Sequence, residues 1–308
     1  MNSRSFFFTA LSLLTCLAMM VGVGSTQAEI KITPDDGSDW DEFGSAVSID
    51  GDYAIVAAPR DDQNGNSSGS AYIFHREGDG WTQQTKLLLE DPEVGDYFGW
   101  SASISGDYAI VGAMFDDDIG ENSGSACIFH RSGDNWTLQA KLLADDGDVG
   151  DAFGVSVAIY NDYVIIGTWG DDAGSAYIFH RAGATWTQQA KLTADDGDLG
   201  DDLGCSVSID GDYAVIGAYS DDEGGYNRGS AYIFHRIGAS WTQQAKLIAD
   251  DGETGDMFGS DVSINGDYCV IGAIGSDLIG SHSEPSLISS LGLRLLTSHN
   301  PPQPAWMI

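Results

Sequence analysis

Short apolar segments that alternate with polar residues recur throughout this chain. The clearest unit runs from Leu203 to Met257 and contains four such segments, SVSI, YAVIGA, GSAYIFHR and WTQQAKLIA. Their period of two residues and their β-branched and aromatic content are typical of half-buried strands, and the repeated units show no helical periodicity. The pattern therefore predicts four antiparallel strands per unit.

The unit occurs five times in one register, with spacings of 55, 55, 50 and 55 residues between equivalent positions. A period of this length with four strands per unit predicts an all-β fold, a β-propeller of four-stranded antiparallel blades. Within each unit, residues that tolerate positive φ predict a type I′ hairpin between the first two strands. These predicted turns are Asp50-Gly51, Ser105-Gly106, Asn161-Asp162, Asp210-Gly211 and Asn265-Gly266.

The two ends of the repeat region depart from the pattern. Residues 30–33 match a fourth strand without a blade of their own, so we expect them to complete the fifth blade and cover its edge. After Asp277 the repeat stops before its third strand, and the acidic character disappears. We therefore expect residues 29–277 to form the propeller. Residues 278–308 are interpreted as a divergent tail, poorly ordered and produced by truncation or frame shift, and a genuine five-bladed ring is the alternative.

The N-terminus predicts export. Arg4 precedes an apolar run from Phe6 to Val23, and a small-x-small pattern ends at Ala28, which together indicate a secretory signal over residues 1–28. An uncleaved anchor and a lipoprotein attached through Cys16 are the alternatives. No later segment is apolar enough to span a bilayer, so the mature chain is expected to be secreted or to lie in the cell envelope.

Charge narrows the classes of partner. The chain has 13 Lys and Arg against 47 Asp and Glu, a formal net charge of −34. Such a surface repels phosphate backbones, which argues against nucleic acid and anionic membranes and favours cations or basic proteins. Because 42% of the residues are hydrophobic, the chain is expected to fold around a core. The three scattered cysteines of the mature chain are expected to be buried in strands rather than paired.

Paired motifs identify a family resemblance. Three pairs of motifs resemble the FG-GAP repeats of integrin alpha-chain propellers. They are Phe43-Gly44 with Ala57-Ala58-Pro59, Phe98-Gly99 with Gly112-Ala113, and Phe258-Gly259 with Gly272-Ala273. Weaker copies stand at Phe153-Gly154 and Leu203-Gly204. The resemblance implies an extracellular propeller, in the parent protein one of seven blades, used for adhesion or ligand binding and often carrying calcium.

Calcium is where the sequence departs from this family. The family's metal loop between the first two strands is reduced here to IDGDY-like turns, which are too short to supply the six to eight oxygens of a calcium site. A second acidic loop, between one blade and the next, is the alternative candidate. Weak calcium binding at several such loops is one hypothesis, and a solvated acidic rim is the other. The candidate ligands are Asp145, Asp146, Asp148, Asp151, Asp195, Asp196, Asp198, Asp201, Asp250, Asp251, Glu253 and Asp256.

Ligand contacts are expected where the units differ from one another. Large side chains follow the Gly-Ala position or lie in the next loop, and this topology places those loops on the same edge as the acidic ones. The candidates are Phe115, Trp169, Tyr219, Tyr226 and Arg228. Packing between blades is the alternative role for them.

No catalytic residues are assigned. The recurring His75, His130, His180 and His235 are related by the repeat, so we expect them to be spread among the blades as structural residues. The leading hypothesis is a non-enzymatic propeller that recognises an extracellular protein, glycan or cation. A purely structural repeat module and a hydrolase or lyase on a propeller scaffold are the alternatives.

Overall fold

The computed structural model describes residues 30–275 and the strand Arg294–Thr297. The predicted signal sequence and the rest of the predicted tail lie outside the described residues. Thr33 onward belongs to one compact unit, and residues up to Ile32 belong to another. Among the described residues there is no helix long and apolar enough to cross a membrane.

The described secondary structure is all β and forms five antiparallel sheets, which we call blades 1 to 5. Blade 1 contains β1 (Val47–Asp50), β2 (Tyr53–Ala58), β3 (Ser70–Glu77) and β4 (Gly80–Leu87). Blade 2 contains β5 (Phe98–Ser105), β6 (Tyr108–Ala113), β7 (Ser125–Ser132) and β8 (Asn135–Leu142). Blade 3 contains β9 (Ser156–Tyr160), β10 (Tyr163–Thr168), β11 (Ser175–Ala182) and β12 (Thr185–Leu192). Blade 4 contains β13 (Leu203–Asp210), β14 (Tyr213–Ala218), β15 (Ser230–Ile237) and β16 (Ser240–Leu247). Blade 5 contains β17 (Phe258–Asn265), β18 (Tyr268–Ala273) and β19 (Arg294–Thr297).

Each of the first four blades is a meander in which neighbouring strands pair in chain order. The first strands of successive blades contact one another, from β1 through β5, β9 and β13 to β17. This is the arrangement of a β-propeller, as the sequence predicts.

Blade 5 differs from the prediction in two ways. Residues 30–33 contain no strand, so the prediction that they pair with the fifth sheet is wrong. The acidic loop that follows is bonded to blade 1 instead, where the backbone N–H of Asp35 donates to Gln83 Oε1 at 2.9 Å. Blade 5 also has a third strand that the sequence did not predict, because β19 pairs with β18 from Tyr268 to Ile271.

The hairpins between the first two strands have two-residue turns, as predicted, but most lie one residue later. Asp50 pairs with Tyr53, so Gly51 and Asp52 form the turn, and the turns after Ser105, Asp210 and Asn265 are shifted in the same way. Only the first turn residue has a positive φ, for example 58° at Gly51. A type I′ turn requires positive φ at both residues, so that predicted turn type is wrong.

The hydrophobic core lies between the blades. Each blade has one face toward the preceding blade, which we call the entry face, and one toward the following blade, the exit face. In blade 2 the entry face presents Ile104, Val111 and Phe129 to blade 1, and the exit face presents Ile110 and Ile128 to blade 3. Cys127 and Cys269 are buried in strands and Cys205 is a half-buried strand residue, in keeping with the expected burial.

The recurring glycines are explained by close contact between blades. A Cβ atom on Gly112 would lie 2.1 Å from the carbonyl oxygen of Gly154 in the next blade, and one on Gly99 would lie 2.4 Å from that of Ser70 in the preceding blade. Real Cβ atoms do not approach backbone so closely, and Gly99 also has a φ of +99° that disfavours other residues. The FG and GA glycines therefore allow one blade's backbone to touch the next.

The histidines occupy separate, equivalent places in four blades. His75 stacks on Tyr53 at 4.6 Å between ring centroids, and Arg131 of blade 2 lies 4.3 Å from the centroid of the same tyrosine. His130, His180 and His235 face Tyr108, Tyr163 and Tyr213 in the same way. They pack against neighbouring rings and do not converge on one point, as expected from the repeat.

Candidate functional site

The acidic loops and the loops between the second and third strands lie together on one edge of the blades, which we call the loop edge. The backbone shows this directly, because Gly150 N–H donates to Glu121 O and Ala152 N–H to Asn122 O across the two loops. A meander places alternate connections on the same edge, so this juxtaposition follows from the predicted strand order. The loop edge therefore collects most of the carboxylates singled out above.

A lysine lies at the centre of each group of carboxylates. In blade 4, Lys246 Nζ is 2.7 Å from Asp196 Oδ2, 2.8 Å from Asp221 Oδ2 and 2.6 Å from Glu223 Oε2. Asp221 is 3% exposed and also accepts a hydrogen bond from the Tyr232 hydroxyl at 3.0 Å. An internal ammonium ion therefore neutralises carboxylates that would otherwise repel one another. We call these groups the lysine clusters.

The same cluster recurs in the other three complete blades. Lys86 bonds Asp36 and Asp61, Lys141 bonds Asp91, Asp116 and Asp118, and Lys191 bonds Asp146 and Asp171. Burial alone would raise the pKa of Asp221, but the hydrogen bond from Lys246 and those from its other donors outweigh it and the net pKa is lowered. The pKa values of Asp61 and Asp171 are lowered for the same reason. These carboxylates are ionised parts of the folded structure.

The last acid of each interblade loop has a different role. Asp151 is buried and accepts a hydrogen bond at 2.7 Å from the backbone N–H of Asp148, three residues earlier. Asp201 and Asp256 close their loops on the N–H groups of Asp198 and Glu253 in the same way. Burial, together with the charge of Asp171, raises the pKa of Asp151, although the Asp148 N–H lowers it. This carboxylate shapes the loop.

The twelve proposed metal ligands are thus divided among several tasks. Asp146 and Asp196 bond lysines, and Asp151, Asp201 and Asp256 bond backbone. The other seven members are exposed, namely Asp145, Asp148, Asp195, Asp198, Asp250, Asp251 and Glu253. Within residues 30–275, no three carboxylate, imidazole or thiolate side chains are grouped as a metal site requires. Calcium binding at these loops stays a prediction, and the arrangement of the carboxylates does not favour it.

The calcium loop implied by the family resemblance also lacks suitable geometry. Its place is taken by the two-residue turns, and in blades 1 to 4 the carboxylate of the turn is paired with an arginine of the third strand. These ion pairs are Arg76 with Asp52, Arg131 with Asp107, Arg181 with Asp162, and Arg236 with Asp212. The residues present therefore do not fit a calcium ion at this position.

The structure brings two of the aromatic candidates together. Phe115 and Trp169 are half-buried and pack with Trp100 on a small cluster of Met114, Ala152 and Val155. A fourth ring joins them, because Tyr97 contacts Phe115 at 5.6 Å and Trp100 at 6.2 Å between ring centroids. We call Tyr97, Trp100, Phe115 and Trp169 the aromatic patch.

The other three candidates lie in blade 4. Tyr219 is half-buried, and burial together with Asp202 raises its pKa. Tyr226 is 70% exposed. Arg228 anchors its own loop, because its guanidinium donates to the Ala249 carbonyl at 2.7 Å.

Sequence reasoning missed the lysines, although a signal was present. Eight of the 13 basic residues belong to two registers of the repeat, namely four arginines (Arg76, Arg131, Arg181 and Arg236) and four lysines (Lys86, Lys141, Lys191 and Lys246). A cation that recurs at one position of an acidic repeat indicates a fixed electrostatic partner. Tyr97 and Trp100 do not recur, but they met the criterion that singled out Phe115 and Trp169, since the equivalent positions in other units differ.

Comparison with known families gives one result. The model of the FG-GAP repeat matches residues 26–74, 81–129, 136–179, 186–234 and 241–286. A comparison with curated proteins finds no match.

Proposed function

Because the chain belongs to the FG-GAP repeat family, we propose that it is an exported, non-enzymatic recognition module that binds an extracellular ligand at the loop edge through the aromatic patch. One observation carries this proposal. The aromatic patch is a continuous, partly exposed set of rings, and it lies where the sequences of the units differ from one another.

The physical character of the patch supports a binding role. Aromatic rings supply large apolar contact area at low entropic cost, and Trp and Tyr are enriched among the residues that dominate binding energy. Three rings of the patch, Trp100, Phe115 and Trp169, pack on the buried cluster of Met114 and Val155, which holds them in place before any ligand arrives. A ligand would therefore meet a preorganised surface.

The surrounding charge favours a cationic protein. The formal net charge of −34 and the exposed acids of the interblade loops produce a negative field around the loop edge. Such a field speeds encounter with basic partners and repels acidic ones. Neutral glycans are the second ligand class, because they also stack on aromatic rings and their hydroxyl groups can donate to carboxylates.

The test uses the full chain and two immobilised probes, poly-lysine and a neutral polysaccharide such as xylan. Trp169→Ala removes a half-buried ring of the patch, and Tyr226→Ala is the matched control because it removes an exposed ring of blade 4. We expect Trp169→Ala to weaken retention by about tenfold, a typical loss for an aromatic contact residue, and Tyr226→Ala to have little effect. Equal retention of both variants, at the same melting temperature as the parent, would overturn the proposal.

A further inference from the structure

Two faces at opposite ends of the row of blades lack the packing that equivalent positions have elsewhere. On the entry face of blade 1, Val47 is 66% exposed and Ile49 is 65% exposed. The equivalent isoleucines of the other blades are only 5–7% exposed, namely Ile104, Ile159, Ile209 and Ile264. Blade 1 thus carries apolar side chains suited to a preceding blade, and blade 5 of the same molecule does not cover them.

The exit face of blade 5 shows the complementary feature. A Cβ atom on Gly217 would lie 1.9 Å from the carbonyl oxygen of Gly259 in the next blade, so any other residue there would force the two blades to shift. At the equivalent Gly272, the nearest atom would be 3.6 Å away, in residue Asp261 of the same blade. Val270 is half-buried on this face, although its counterpart Val215 is fully buried. Gly272 therefore has a space that a following blade would fill.

The entry face has a glycine with the same property. In blades 2 to 5 the glycine of the FG motif approaches the preceding blade so closely that an added Cβ atom would lie 2.1–2.4 Å from a carbonyl oxygen of that blade. These glycines are Gly99, Gly154, Gly204 and Gly259. At Gly44, the equivalent residue of blade 1, an added Cβ atom would have no atom of residues 30–275 within 4 Å. Gly44 and Gly272 are thus the unmatched halves of a contact that occurs between blades 2 and 3, 3 and 4, and 4 and 5.

Polar groups on the two faces fit the same contact. In blade 4, Ser208 Oγ accepts a hydrogen bond from Ile264 N–H of blade 5 at 3.1 Å, and Asp210 Oδ2 accepts one from Gly266 N–H. The equivalent acceptors on blade 5 are Ser263 and Asn265, and both are exposed. The equivalent donors on blade 1 are the N–H groups of Ile49 and Gly51.

We propose that the entry face of blade 1 and the exit face of blade 5 are the two halves of one intermolecular interface, through which a second copy of this chain docks head to tail. The partner follows from the chain's own blade contacts. Within one molecule, the entry face of each blade binds the exit face of the preceding blade. A second copy of the chain offers such an exit face on its blade 5. Gly272 of one copy would approach the Gly44 carbonyl of the other, and Ser263 would accept from Ile49 N–H. Such a contact is heterologous, so it leaves one free face of each kind on a dimer.

The test is sedimentation velocity of the full chain over a range of concentrations. We expect concentration-dependent association beyond the monomer. Gly272→Leu should abolish it, because the larger side chain has room on the open face of the monomer but would hold the docked blade away. Alanine would be too small a change, since Ala57 stands at the equivalent position of blade 1, which packs on blade 2. Ile49→Asp should weaken it by about a hundredfold or more, because it buries an unpaired carboxylate. Leu199→Asp is the control, since it places the same charge on a side chain that is 85% exposed in an interblade loop.

Mixing the two variants tests the head-to-tail geometry. Gly272→Leu keeps an intact entry face and Ile49→Asp keeps an intact exit face, so each alone should be monomeric. An equimolar mixture should form a dimer that grows no further. A chain that is monomeric at every concentration would overturn the proposal. Association that resists both variants, or that the mixture does not restore, would overturn it as well.

Discussion

Replacing Lys246 by Met tests whether the lysine clusters hold the blades together. The substitution keeps the aliphatic length of the side chain and removes the ammonium group from Asp196, Asp221 and Glu223. Because Asp221 is 3% exposed, it would be left as a buried carboxylate without its cation. Removing one partner of a buried ion pair typically costs about 3–5 kcal/mol.

The local hydrogen bonds decide where in that range the loss falls. Asp221 would keep the Tyr232 hydroxyl and the backbone N–H of Glu223, at 3.0 and 2.8 Å, which favours the lower end. Asp196 and Glu223 are solvent-exposed, so their lost pairs add less than about 1 kcal/mol each. We expect a loss of about 3 kcal/mol. For a domain of this size that corresponds to a melting temperature lower by roughly 6–12 °C.

The effect should depend on pH in a definite direction. In the parent chain the pKa of Asp221 is lowered on folding, so its contribution is present above the unfolded pKa and is lost as pH falls through the folded pKa. Without Lys246, burial would raise that pKa, and protonation would relieve the cost. The difference in melting temperature between parent and variant should therefore be largest near pH 7 and shrink toward about pH 4.

The assay is thermal unfolding by circular dichroism at several pH values. Glu223→Gln is the matched control, because it removes an exposed partner of the same lysine, and it should shift the melting temperature little. Asp221→Asn combined with Lys246→Met should cost less than the sum of the two single changes. A loss for Lys246→Met no larger than that of Glu223→Gln, or a loss independent of pH, would refute the proposed role.

Three further predictions concern the loops and the blade contacts. Asp96, the equivalent of Asp151, has a pKa that burial and nearby acids raise to about 6. The cost of ionising it in the native state builds up as pH rises from its unfolded pKa of 3.8 to its folded pKa. Asp96→Asn should therefore raise the melting temperature near pH 8 and leave it nearly unchanged near pH 3, and the same shift at both pH values would contradict this. Gly217→Leu should destabilise the chain by about 2 kcal/mol or more in thermal unfolding, whereas Gly272→Leu should not, because only the first would press a side chain against the backbone of the next blade. Calcium should leave the melting temperature unchanged, because lysines already neutralise the buried acids. A saturable calorimetric isotherm together with a higher melting temperature would instead support calcium binding.

The strands and their order were predictable because the signal is local and occurs five times. The segment YAVIGA becomes β14 from Tyr213 to Ala218, and GSAYIFHR becomes β15 from Ser230 onward. Each strand has one face against each neighbouring blade, which gives the continuous apolar runs seen in the sequence. The fold is therefore specified by a pattern that requires no knowledge of distant contacts.

The finer backbone geometry was not predictable from residue types. The residue before each FG motif has a positive φ, as at Tyr97 with 52° and Ala152 with 54°, although these side chains have nothing in common. The conformation instead accompanies a turn across the motif, where Trp100 N–H donates to Tyr97 O and Val155 N–H donates to Ala152 O. The same turn bond occurs in all five repeats, including blade 1 at Glu42, so the backbone of the repeat overrides the local preference of these residues.

The candidate site shows why net charge alone is a poor guide to metal binding. The sequence places many carboxylates on one edge, and their mutual repulsion favours a cation. The cation can be an internal side chain, however, and one lysine in each complete blade already occupies this role. Its ammonium group costs no binding entropy for a free ion, and the fourth strand fixes its position among the acids. What remains exposed is a negative surface around the aromatic patch, which is better suited to attracting a cationic partner than to enclosing a calcium ion.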